Sequence, residues 1–425
     1  MIVMKRTMKT LCALGFVVLM IVSCVRYEYS EEGYREIMLE YFPVESVTSS
    51  AVWDMCARRR VTLTSTMSEI RKVQVLSSNP YENAPDCEIL AESNLLQNQS
   101  VTLLYYLPKV TTDICFAALD AEGRYIQVIP SVAGTADISF DSPLADAQSF
   151  ELEPQKFYYC FEENYPEAGD WDYNDMVLGV SMERTSDPKK VRLNVELHAV
   201  GSMKQLAAAI NLVGYDKSQI RSVTVDGTNN FVHNPDAYRS IITSKELLLS
   251  GKRGEAVINL FDDAHAAFTP AAEGAPVTRY YYNTVWDTSS RQDAKNMDAP
   301  VTSYIIEFLN ASDAQEFGMA NLDPFVALPY ISVTFEIHTR KYKLNETLFS
   351  YYNGQEATYN DEFSFAIEVP YRHFSYPQET MKIGTKKGSS IGGCYAKSGA
   401  SFGEWLQGDE NAKEWYKHPK GNVMR

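Results

Sequence analysis

Between Phe161 and Val180 the chain reads FEENYPEAGDWDYNDMVLGV, and this block constrains the fold more than any other stretch. Asp170, Asp172, Asn174 and Asp175 put four oxygen-bearing side chains within six residues. An aromatic run (Phe157, Tyr158, Tyr159) precedes them, and the apolar segment Met176 to Val180 follows. Carboxylates this dense repel one another unless a cation sits among them, and hard oxygen donors suit Ca²⁺. The alternative is a solvated acidic turn, with Asp172 or Asn174 bonding nearby backbone.

The rest of the chain reads as β. Tyrosine is abundant, at 27 residues, while helix-type runs are few. Residues 52–141 alternate as VTLTSTM, KVQVLSS, SVTLLYYL, DICFAALD and RYIQVIPS, separated by Asn79-Pro80, Ala84-Pro85-Asp86 and Glu122-Gly123. This spacing predicts a small amino-terminal immunoglobulin-like β-sandwich over 49–145. Strand patterns resume at VRLNVELHAV, SVTVDG, AVINLF, SYIIEFLN, ISVTFEIHT and FSFAIEVP. They predict a larger β-sandwich or jelly roll over 149–425, with a long loop between 268 and 300. SMKQLAAAINLVGY stays open between helix and strand, and SKELLL and SFGEWLQ read as helix. The fold class is therefore mostly β.

The amino terminus is a targeting segment. Lys5, Arg6 and Lys9 precede an apolar stretch from Leu11 to Val22, too short to span a bilayer. Ile21-Val22-Ser23-Cys24 resembles the lipobox of bacterial lipoproteins, which implies removal of residues 1–23 and lipidation of Cys24. Residues 24–48 then form a tether and one short helix that Pro43 closes. Ser30-Glu31-Glu32 is similar to a surface-sorting tag, and reads equally as a helix start. Loss of Lys5, Arg6 and Lys9 from 39 basic side chains leaves 36 against 55 acidic ones, a balance of −19. That excludes nucleic acid as a partner, since phosphate binding needs a basic face.

Cys56, Cys87, Cys115, Cys160 and Cys394 match no zinc spacing. Either a disulfide such as Cys87 to Cys115 or buried thiols fits an oxidising compartment.

Within the acidic block, Asp170, Asp172 and Asn174 occupy positions 1, 3 and 5 of an EF-hand-like loop, with the Met176 carbonyl at position 7. Asp175 replaces the glycine of position 6 and Ser181 the glutamate of position 12, so this is not an EF-hand. Further ligands would come from Glu162 and Glu163 or from another loop. Asp262, Asp263 and His265 are secondary candidates for a metal or an acid–base pair, and are equally suited to capping a short helix. Gly399-Ala400-Ser401-Phe402-Gly403 matches GxSxG, with Asp409 and His418 following, yet it lacks the strand, helix and parallel sheet of a nucleophile elbow. No catalytic set emerges, and the expectation is a protein that is not an enzyme.

The block FEENYPEAGDWDYNDMVLGV resembles the FEDxxxxxGDxDYNDxVxxx signature of the LruC-domain family of bacterial lipoproteins. VINLFDDAHAAF, YYNTV, DPFVAL, EIHT, FAIEVPYRHFSYPQE, FGEWL and EWY follow in the family's order. Glu163 stands where the family has Asp, a change that a flexible Ca²⁺ shell tolerates. The resemblance implies a lipid-anchored outer-membrane protein, surface-exposed, with a Ca²⁺-dependent β-domain. Adhesion or recognition of a glycan or protein ligand is the expected role. The alternatives are a component of polysaccharide uptake, binding or processing glycan, and a structural part of a pilus-like assembly.

Overall fold

The computed structural model describes residues 31–44, 47, 53–165, 167–231, 248–251, 254–272, 275–330, 333–339, 363–385 and 392–424. The leader, Cys24 and the tether up to Ser30 lie outside these residues, as do residues 244–247 of the SKELLL segment. The chain divides into two compact units, Met1–Tyr41 and Phe42–Arg425. The first unit contributes one described element, a helix over Glu31–Tyr41.

Seven strands come first in the second unit: β1 (Cys56–Ser65), β2 (Lys72–Leu76), β3 (Glu88–Asn94), β4 (Ser100–Pro108), β5 (Asp113–Leu119), β6 (Tyr125–Val132) and β7 (Asp137–Phe140). With β8 (Glu153–Pro154) they form two sheets, ordered β4-β1-β7 and β6-β5-β2-β3-β8. A shared core lies between the sheets, where Val61, Leu63, Leu103 and Tyr105 of one meet Val73, Val75, Ile114 and Phe116 of the other. DICFAAL carries a nearly continuous apolar run because β5 is buried on both faces. Ile114 and Phe116 enter that core, while Cys115, Ala117 and Leu119 join a second cluster with Leu76, Cys87 and Tyr125. Among the described residues no disulfide joins any two of Cys56, Cys87, Cys115, Cys160 and Cys394, all of which are buried.

The remaining strands are β9 (Lys156–Phe161), β10 (Met176–Arg184), β11 (Lys190–Ala199), β12 (Ala207–Asp216), β13 (Ile220–Asp226), β14 (Leu249–Ser250), β15 (Glu255–Phe261), β16 (Tyr281–Tyr282), β17 (Ala294–Lys295), β18 (Val301–Phe308), β19 (Leu322–Tyr330), β20 (Val333–His338) and β21 (Ala366–Val369). They build a sheet ordered β13-β18-β11-β10-β9-β21, a second ordered β14-β15-β12-β19-β20, and a small ribbon of β16 and β17. β11 buries every second residue, so one face looks inward. The rings of Tyr215 on β12 and Phe308 on β18 meet at 5.4 Å and tie the two large sheets together. The protein is thus mostly β, at 40% strand and 15% helix among the described residues, with β-sandwich character.

The segment left open between helix and strand is β12. Six consecutive buried residues, Ala207 to Leu212, sit between β15 and β19. Burial on both faces outweighs the helical preference of alanine and leucine there. SFGEWLQ does form a helix, Phe402–Leu406, started by Ser401. Leu249 of the SKELLL segment begins a strand instead. The helix Ala311–Glu316 carries no strong periodic signal and escapes the sequence reading.

Candidate metal centre

β9 and β10 are antiparallel neighbours, and Phe161 pairs with Met176, so residues 162–175 form the whole connection between them. A loop this long within a sheet needs its own internal order. Trp171 and Tyr173 supply it. Both adopt the left-handed region, at φ of 59° and 53°. That conformation is costly for bulky side chains and persists only when the surroundings fix it. Here the fixing is aromatic: the Trp171 ring lies 4.6 Å from Phe42 and 5.0 Å from Phe365, and the Tyr173 hydroxyl donates to Ser364 O at 2.6 Å.

Turning these two residues left-handed aims backbone donors at one carboxylate. The Tyr173 N–H donates to Glu162 Oε1 at 2.7 Å, and the Trp171 N–H helps favour the charged form of the same carboxylate. Glu162 is 0% exposed, and its other oxygen, Oε2, has no hydrogen-bond partner. Gly169 allows this packing, since a Cβ there would lie 2.2 Å from Glu162 Oε2. Glu162, Asp170 and Asp172 each offer one oxygen, and these oxygens lie within 4.8 Å of one another.

The other acidic-block residues are engaged around this trio. Asp172 accepts from the Asn174 N–H at 3.1 Å and, through Oδ2, from the Thr380 N–H at 2.7 Å. Asp175 Oδ2 accepts from the Glu163 N–H at 2.7 Å. Glu163 pairs with Lys204. Asn174 donates through Nδ2 to Pro377 O at 3.1 Å, and its Oδ1 lies so close to Gly201 that a Cβ there would sit 1.9 Å away. The segment 377–383 is therefore stitched to the loop, with Ile383 N–H donating to Trp171 O at 2.9 Å.

Electrostatics follow from this crowding. Burial pushes Glu162, Asp172 and Asp175 well above the usual carboxylate range, and the charges of neighbouring carboxylates push them further. Burial also raises Asp170, against a partial offset from Lys382. A sixth carboxylate, which sequence reasoning missed, belongs to this neighbourhood. Burial raises Glu379 to about 7, with Asp170 adding to the shift. Its Oε2 accepts from Thr284 Oγ1 at 3.0 Å. The one available signal was its place in SYPQE, within a segment singled out only for likeness.

The secondary candidates occupy a different place. Asp263 caps the helix Ala264–Phe268, accepting from the His265 N–H at 3.0 Å. His265 is buried between Asp263 Oδ1 (2.9 Å from Nδ1) and Ser202 O (2.8 Å from Nε2), while Arg279 approaches Asp263 at 3.5 Å. Asp262 lends its carbonyl to Gln205 Nε2 at 3.1 Å. The GxSxG residues do not converge. Ser401 forms a capping box with Glu404, Asp409 caps a second turn at Asn411, and His418 Nδ1 lies 3.5 Å from Lys397 Nζ.

Among the described residues, no helix is long and apolar enough to cross a membrane. The family described as Domain of unknown function (DUF4842) matches residues 189–416, more than half of the chain, and the chain belongs to it. The acidic loop precedes the matched residues, whereas Lys204, Glu379 and Lys382 fall within them. A solved structure from Bacteroides ovatus, described as a "putative lipoprotein", is similar at 12% identity with a TM-score of 0.48. That similarity covers 84% of this chain and 100% of the other. No curated protein matches the chain.

Proposed function

We propose that this member of the DUF4842 family is a surface-anchored lipoprotein of the LruC type. In this reading Cys24 carries the lipid, and the β-body takes one Ca²⁺ at Glu162, Asp170 and Asp172. The work is adhesion or ligand recognition at the outer membrane rather than catalysis. The observation that carries the metal reading is Glu162, fully buried with one carboxylate oxygen unpartnered beside two further carboxylates. A buried anion without a partner is costly, and a divalent ion among all-oxygen donors removes both the orphan and the repulsion. The donors are carboxylates on an irregular loop, a setting that suits the flexible shell of Ca²⁺ better than the strict octahedron of Mg²⁺.

The ion would do its work through the stitched segment. Asp172 holds Thr380, and Trp171 holds Ile383, so fixing the loop also fixes 377–383 against the large sheet. Metal binding is then part of folding. Calcium titration of the metal-free protein by calorimetry should give one site, absent in an Asp170→Ala/Asp172→Ala variant. Equal heats in both proteins would refute the assignment.

One observation favours a glycan as the recognised ligand. Trp286 is 59% exposed, and its indole N–H is tied to Val423 O at 2.8 Å, which presents a fixed aromatic face to solvent.

A further inference from the structure

Among the described residues, the amino-terminal sandwich has a strand edge left open beside a cleft. In the β2–β3 ladder, the pairs Val73↔Ser93 and Val75↔Ala91 continue the bond from Leu95 N–H to Arg71 O at 3.0 Å. Backbone groups of Ala91, Ser93 and Leu95 therefore face β2, and alternation turns those of Glu92 and Asn94 outward. On that outer edge β8 pairs with β3 only at Glu88 and Ile89, where Gln155 N–H donates to Ile89 O at 3.0 Å. Beyond Ile89, among the described residues, no strand pairs with this edge.

Two cavities border the same stretch. One, of about 440 Å³, is bounded by Leu90, Ala91 and Glu92 together with Leu104, Phe150 and Met182. The other, of about 570 Å³, is bounded by Glu92, Ser93 and Asn94 together with Thr185 and Pro188. Lys72, Glu92 and Arg184 border both, so the two are ends of one cleft. Its far wall is fixed, because the Arg184 guanidinium donates to Gln315 O at 3.0 Å and Phe317 O at 2.6 Å. The Glu92 carboxylate is engaged by Lys72 Nζ at 3.3 Å and Gln74 Nε2 at 2.8 Å. What the edge offers is backbone rather than side-chain charge.

We propose that the cleft takes an extended peptide segment of a partner protein, added as a strand along Ala91–Leu95, past the bulge at Leu90 that separates this stretch from the β8 pairing. The open groups recur every second residue, a spacing that a peptide backbone matches and a sugar ring does not. At about 3.3 Å per residue the edge accommodates roughly five residues. Alternate side chains of the guest then reach the apolar end formed by Leu90, Leu104, Phe150 and Met182. This inference rests on the general recognition reading above, adds a protein partner at a place apart from the Trp286 face, and is independent of the calcium site.

The test is selection of a displayed random heptapeptide library on the full mature protein, followed by anisotropy with the enriched peptides. Enriched peptides should bind the wild type and lose at least tenfold in affinity for Glu92→Pro. Proline at this outward-facing edge position removes one open N–H and no ladder bond, and a melt verifies that the variant folds. Peptides N-methylated at alternate residues should lose binding in one register and keep it in the other, with no change to the protein. The proposal is overturned by failure to enrich any peptide, by equal binding to Glu92→Pro, or by indifference to methylation in both registers. A calcium response that persists alongside such a failure would sink this proposal alone.

Discussion

Two buried acidic clusters in the larger β-body solve the same electrostatic problem differently. On β19 and β20, Asp323 and Glu336 flank His338, with Asp323 Oδ2 at 2.8 Å from Nδ1 and Glu336 Oε2 at 3.3 Å from Nε2. Burial lowers the imidazole pKa, but the two carboxylates outweigh it and raise it to about 9. This cluster contains its own cation. In the β9–β10 loop, Glu162, Asp170 and Asp172 converge with an unpartnered buried oxygen, and Lys382 offsets only part of the burial at Asp170. A buried carboxylate needs a proton or a positive partner, and in the proposed reading an ion from solvent is that partner in the loop.

The largest effect should come from breaking the closed cluster. His338→Leu removes the cation between two buried carboxylates and should cost about 3–5 kcal/mol in denaturant unfolding, unrelieved by calcium. Full rescue by calcium would make the two clusters alike and undo the comparison. Glu162→Gln tests the open cluster. It keeps an acceptor for the Tyr173 N–H and removes one negative charge. The metal-free variant should be as stable as wild type, or more stable by on the order of 1 kcal/mol, while its response to calcium disappears.

Titration sharpens the contrast further. Carboxyls whose folded pKa is raised are stabilising while protonated, and that stability is lost as pH rises. The window opens near the unfolded value of 4.5 and, for Glu379, closes around 7. Metal-free protein should therefore lose stability between those limits, and calcium should flatten the profile. The closed cluster titrates higher. His338 stabilises fully below its unfolded value of 6.5, and that contribution is lost as pH passes about 9. The smallest effect belongs to a helix cap outside both clusters. Ser401→Ala should cost about 1 kcal/mol in the same unfolding experiment, with or without calcium.

How much of this could be read from the residues depends on sequence distance. The strands Ser100–Pro108 and Lys190–Ala199 follow directly from alternation, which is local. β12 does not, because its neighbours β15 and β19 decide its state from far along the chain. The carboxylate density of the acidic loop is legible by eye. Its cradle is not, since left-handed Trp171 and Tyr173 are held by Phe42, Ser364 and Phe365. Nor is the link between Asp172 and Thr380, which are 208 residues apart. Asp175 and Asn174 look equivalent to Asp172 in the sequence, yet Asp175 accepts from Glu163 and Asn174 donates to Pro377.

The most direct test is a thermal melt of the mature protein in excess Ca²⁺ and in chelator, run beside Glu162→Gln. The wild-type midpoint should rise by several degrees with calcium, as binding to the native state alone requires, and the variant should not move. Identical wild-type melts in calcium and chelator would contradict the account and leave the loop an acidic turn.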